Sequence, residues 1–104
     1  MILLLLENIY KELQRRGFER LRKSETEVSG CFSDDGGSSS YFVKCERVNP
    51  SGRRNGSASY NIKATRNGKV QEYKETREGD DSLLRIQHMV GTKLDELGAG
   101  RRGG

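Results

Sequence analysis

Apolar residues recur at helical spacing at the start of the chain. Ile2, Leu5, Leu6, Ile9 and Leu13 share one face, while Glu7, Asn8, Lys11, Glu12 and Arg15 fall mostly elsewhere. The pattern predicts an amphipathic helix from Ile2 to Arg16. Its end is written in the next residues. Gly17 suits the left-handed conformation that closes a helix, Phe18 can fold back on Leu13, and Arg15 and Arg16 sit where the helix dipole favours cations.

From Glu25 to Arg77 the period changes to two, with glycine-rich breaks at Asp34 to Ser40 and Asn49 to Ser57. The clearest strand sets Ala58, Tyr60, Ile62 and Ala64 against Ser59, Asn61, Lys63 and Thr65, and leads to Asn67-Gly68, the pair preferred in a type I′ hairpin. A two-residue loop makes Arg66 face Lys69, Ile62 face Tyr73, Lys63 face Glu72 and Asn61 face Lys74. Two earlier strands are expected over Glu25 to Ser33 and Tyr41 to Val48. After Gly79, the residues Asp80-Asp81-Ser82 read as a helix start, Leu83, Ile86, Val90, Leu94 and Leu97 form its apolar stripe, and Gly98 ends it.

These elements predict a two-layer α+β domain: an N-terminal helix, a four-stranded antiparallel meander and a C-terminal helix, with both helices on one sheet face. Residues 1–97 would form this single domain and 98–104 a flexible Gly/Arg tail. Only 32% of the 104 residues are apolar and 33% are charged, so the core must be small. The Leu3 to Leu6 run is too short to span a membrane and leads straight into Glu7 and Lys11. It reads as a buried helix start, with Leu3 and Leu4 as candidate interface residues of a homodimer, because four consecutive leucines point around the whole helix.

Candidate chemistry is sparse. His88 is the single histidine and lies off the apolar stripe of the last helix. Cys31 and Cys45 are not spaced as a metal-binding pair, and one histidine cannot complete a site with them, so neither a metal nor a cofactor is expected. A first hairpin turning at Ser38 would set the two cysteines opposite each other. Without a signal-peptide pattern, reduced thiols and a cytoplasmic location are expected. Asp34-Asp35 reads as a turn and Asp80-Asp81 as helix-start charge, and no nucleophile has an adjacent base. No phosphate-binding loop motif lies between a strand and a helix. The expectation is a protein that is not an enzyme.

Charge changes the picture most. Of the net charge of +4, about +3 falls in residues 1–24, −3 in 25–50, +4 in 51–79 and none in 80–104. Arg53 and Arg54 in a glycine-flanked loop, Lys63, Arg66, Lys69 and Lys74 on the second hairpin, and Arg101 and Arg102 in the tail are the candidate contacts to the phosphates of RNA or DNA. The alternative is a protein-interaction module, such as a small inhibitor or adaptor of the kind phages and mobile elements encode. It would bind through the open sheet face, an edge strand or the leucine-rich end.

Two layouts bear comparison. The stretch from Tyr60 through Gly68 to Leu97 resembles the last two strands and final helix of the double-stranded-RNA-binding domain, which would imply RNA as partner. That family begins its final helix with phosphate-holding lysines, whereas this chain has Asp80 and Asp81 there. The ending Arg101-Arg102-Gly103-Gly104 resembles the C-terminus of ubiquitin-like proteins and sulfur carriers, whose terminal glycine is activated as an adenylate. Those proteins begin with a β-hairpin rather than a helix.

Overall fold

The computed structural model describes residues 2–48 and 56–100 and, of these, all side chains but those of residues 2–5, 35 and 48. The order is α1 (Ile2–Arg15), β1 (Glu19–Lys23), β2 (Glu27–Ser33), a 3₁₀ turn (Asp35–Gly37), β3 (Ser39–Val48), β4 (Ser57–Arg66), β5 (Lys69–Glu78) and α2 (Ser82–Leu97). The strands form one antiparallel sheet in sequential order β1-β2-β3-β4-β5. The fold is α+β as the periodicity predicts, with five strands in place of the four expected.

The added strand is β1. Its sequence Glu-Arg-Leu-Arg-Lys offers a single apolar residue, Leu21, so no alternation announces it. It forms because β2 presents a free edge to it and because Gly30 leaves room. A Cβ on Gly30 would stand 2.6 Å from Leu21 Cδ2, so the missing side chain of β2 is what admits the one apolar side chain of β1. The register slips between Glu19 and Arg22, and Arg20 adopts a positive φ of 54° at this bulge.

The local signals act as read. Gly17 has φ 88°, and Phe18 and Gly17 donate backbone hydrogen bonds to Leu13 and Gln14 at 3.0 Å each. Helix α1 therefore closes in a Schellman motif. Helix α2 ends in the same way: Gly98 has φ 70°, and buried Ala99 donates to the Leu94 carbonyl at 2.9 Å. Asp81 holds the cap position of α2, but its carboxylate accepts from Arg85 at 2.9 Å rather than from the first backbone amides. In the β4–β5 hairpin, Asn67 and Gly68 both have positive φ, and all four expected pairs form.

The core lies on one face of the sheet. Val28 of β2, Tyr41, Val43 and Cys45 of β3, and Ala58, Tyr60, Ile62 and Ala64 of β4 are buried there against Leu6, Ile9 and Leu13 of α1 and Leu83, Ile86, Val90 and Leu94 of α2. Both helices thus cover the same face, α1 over β1 and β2 and α2 over β4 and β5. Arg16 joins them, donating from Nε to Glu12 at 2.7 Å and from its terminal nitrogen to Asp95 at 2.9 Å.

The cysteines do not meet. The β2–β3 turn centres on Gly36 and Gly37, both at positive φ, so Cys31 pairs with Phe42 and Cys45 with Val28. A centre at Ser38 would have set them opposite each other. The earlier centre turns Cys31 to the open face and Cys45 into the core, and both are free thiols.

Candidate functional site

Four of the eight basic candidates, Arg53, Arg54, Arg101 and Arg102, lie outside the described residues, as do the side chains of Leu3 and Leu4. The other four sit on β4 and β5, and the structure divides them between the two faces of the sheet.

Lys63 and Lys74 belong to the open face. Cross-strand rows there run Cys31, Phe42, Lys63, Glu72 and Ser29, Lys44, Asn61, Lys74. Glu72 stands beside both lysines. Its carboxyl is held below the usual range by the hydrogen bond from Asn61, at 2.7 Å, and further by the charges of Lys74 and Lys63. Register puts Arg22, Lys44, Lys63 and Lys74 on this face together with Glu19, Glu27, Glu46, Glu72 and Glu78. The charges nearly cancel, with one acidic residue in excess, and Phe42 and Val70 stand 37% and 63% exposed among them.

Arg66 and Lys69 flank the turn, and strand parity turns them to the helix-covered side, away from Lys63 and Lys74. The Arg66 guanidinium is engaged there. It donates to the Tyr41 hydroxyl at 3.2 and 3.0 Å and to the carbonyl of Leu97, the last residue of α2. Its role is to satisfy the carbonyl end of that helix, where a cation is favoured. Lys69 is exposed beside it.

At the opposite end of the sheet, Arg77, Leu84, Arg85, His88 and Met89 line an open groove between β5 and α2. Arg77 is paired with Glu75 at 3.1 Å and Arg85 with Asp81 at 2.9 Å. Arg47 lies across Ala58 from Arg77, and its buried Nε has no hydrogen-bond partner among the described residues. Sequence reasoning missed this grouping. Arg77 shares the parity of the core face, but its convergence with α2 depends on how the helix crosses β5, which no local spacing records.

The segment carrying Arg53 and Arg54 leaves the sheet after Val48 and returns at Gly56, whose carbonyl accepts the Gly79 amide at 3.0 Å. That is the end of the sheet with the Arg77 groove. The tail carrying Arg101 and Arg102 departs from the other end: it follows Gly100, where an added Cβ would stand 2.7 Å from Arg16 Cβ, and the nearby Leu97 carbonyl is held by Arg66. Ten-residue strands, at about 3.4 Å per residue, separate these departures by roughly 30 Å.

The buried polar groups are structural in chemistry. Burial pushes the Cys45 thiol up to about 12, leaving it protonated and unreactive at neutral pH. Burial, and then the hydrogen bond to Glu75 at 2.9 Å, raise the Tyr60 phenol to about 12. His88 is exposed on α2. Among the described residues, no three His, Cys, Asp or Glu side chains are grouped to hold a metal ion, and no helix is long and apolar enough to cross a membrane. Compared with known proteins, the chain matches no family model, no curated protein and no solved structure.

Proposed function

We propose that the protein is a non-catalytic binding module for an extended polyanion, RNA or DNA, held chiefly by the arginine pairs Arg53-Arg54 and Arg101-Arg102. The observation that carries this reading is where the net charge resides. Removing those four arginines from the 19 basic residues leaves 15, equal to the 15 acidic residues, all of which lie in the described body. The body is neutral, and the whole excess of +4 belongs to two segments of similar sequence, Gly52-Arg53-Arg54-Asn55-Gly56 and Gly100-Arg101-Arg102-Gly103-Gly104. Arginine forks match phosphate geometry, and their charge releases condensed counterions when it meets a phosphate backbone.

The two segments leave the fold roughly 30 Å apart, so a ligand that both engage must be long. At about 3.4 Å per nucleotide that distance corresponds to roughly nine base pairs of duplex. Lys63 and Lys74 are secondary contacts, since Glu72 beside them offsets much of their field, and Lys69 adds one charge at the tail end. We leave Arg66 out of the proposed contact set, since its guanidinium already donates to Tyr41 and Leu97.

The test is fluorescence anisotropy with labelled single- and double-stranded RNA and DNA of graded length. Affinity should rise as the oligonucleotide passes about nine base pairs. The double variants Arg53→Glu/Arg54→Glu and Arg101→Glu/Arg102→Glu should each weaken binding at least about tenfold, with fold and stability unchanged. Equal binding by both variants and the parent protein would sink the reading.

One observation favours the alternative of a protein-interaction module. The open face carries no basic excess and exposes Phe42 and Val70, a composition suited to shape-dependent protein contact more than to phosphate. On that reading, binding of a protein partner would survive salt and the arginine reversals, and Phe42→Ala would abolish it.

A further inference from the structure

We propose that β5 is a homodimerisation edge, pairing antiparallel with β5 of a second copy about a two-fold axis through Tyr73. This inference rests on the sheet alone and is independent of the proposed polyanion binding.

The two edges of the sheet are built differently. Strand β1 has five residues, a register slip and a residue at positive φ, devices that blunt an edge against further pairing. Strand β5 has ten residues, Lys69–Glu78, pairs with β4 without interruption, and contains neither proline nor glycine. It is a long, regular edge with no bulge, proline or glycine, and its guard against strand addition is charge alone, which a complementary register can turn into attraction.

Geometry restricts how two such strands can join. The two-residue type I′ turn makes Arg66 and Lys69 the hydrogen-bonded pair of the hairpin, so Lys69, Gln71, Tyr73, Glu75 and Arg77 direct their backbone groups to β4. The amides and carbonyls of Val70, Glu72, Lys74 and Thr76 therefore point outward. A second β5 can bond to them only if outward-facing residues meet outward-facing residues, which requires the axis to pass through a residue rather than between two.

Among those registers, overlap and side-chain charge choose one. An axis through Gln71 or Thr76 joins only half of each ten-residue strand. An axis through Glu72 sets Glu72 against itself, one through Lys74 sets Lys74 against itself, and one through Glu75 sets Glu75 against itself and Glu72 against Glu78. The axis through Tyr73 instead puts Glu72 opposite Lys74 of the second copy, twice, and pairs Val70 with Thr76 on the same open face. On the helix side, Tyr73 meets Tyr73 at the centre and Gln71 meets Glu75. Lys69 and Arg77 meet at the ends, on long stems, with Arg77 already paired to Glu75 at 3.1 Å. The product is a continuous ten-stranded sheet with both pairs of helices on one side.

Sedimentation equilibrium of the full chain tests this with two single variants, each checked for fold by circular dichroism. Lys74→Glu sets carboxylate against carboxylate at both symmetry-related pairs, and Glu72→Lys sets ammonium against ammonium there. Each should raise the dimer dissociation constant at least about tenfold. Mixed one to one, the two variants become complementary at both pairs and should associate as tightly as the parent protein. A parent chain that stays monomeric up to millimolar concentration, single variants that dimerise as the parent does, or a mixture that fails to associate would each overturn the proposal.

Discussion

One sheet carries two unlike faces, and neighbouring residues in β4 mark the divide. Ile62 points under the helices and is fully buried, while Lys63 points to the open side between Phe42 and Glu72. The covered face draws residues from three strands and two helices into one core, so each side chain there depends on many others. The open face holds four basic and five acidic residues and depends on none of them for the fold. Stability therefore resides on one side of the sheet, and the other side is left uncovered by the helices.

The sharpest way to break that contrast is Ile62→Ala. It removes a fully buried side chain at the centre of the sheet and should cost about 3 to 4 kcal/mol in urea unfolding, a large part of the stability of a domain this size.

Alkali should act next, and also through the covered face. Cys45 keeps its proton in the fold up to about 12, whereas the unfolded thiol releases it near its ordinary value of 9.0. Folded pKa exceeds unfolded pKa, so this stability is complete below about pH 9 and is lost as pH rises towards 12. The loss should reach about 2 kcal/mol near pH 10.5, with Tyr60 contributing in the same direction. Urea titrations at neutral and alkaline pH measure it, and Cys45→Ala should flatten the dependence.

Arg66 comes third, as a charged residue on the covered side. Arg66→Ala frees the Leu97 carbonyl and the Tyr41 hydroxyl and should lower stability by about 1 kcal/mol. Lys63→Ala, one step of the pleat from Ile62, should change stability by less than about 0.5 kcal/mol. A Lys63 variant as damaging as the Ile62 one would erase the distinction between the faces.

Much of this fold was legible in residue spacing. Both helices, four strands, the glycine closure of each helix and the β4–β5 register follow from local pattern, because each is decided by neighbours within a few positions. Strand β1 was not, since its place depends on a partner strand and on the space that Gly30 leaves for Leu21. The cysteine pairing failed by a small displacement of the β2–β3 turn, which Gly36 and Gly37 centre ahead of Ser38. Of the candidate site, charge placement was readable but facing was not fully used. The parity of the hairpin already separates Arg66 and Lys69 from Lys63 and Lys74, whereas the capping of α2 by Arg66 joins residues far apart in sequence.

The central claim is that a neutral fold carries its entire excess charge on two arginine pairs in order to hold a polyanion. Its most direct test is the salt dependence of binding to a duplex longer than about nine base pairs. Four arginine contacts predict a plot of log affinity against log salt that falls with a slope of roughly −3 to −4. A slope near zero, or no binding at low salt, would contradict it.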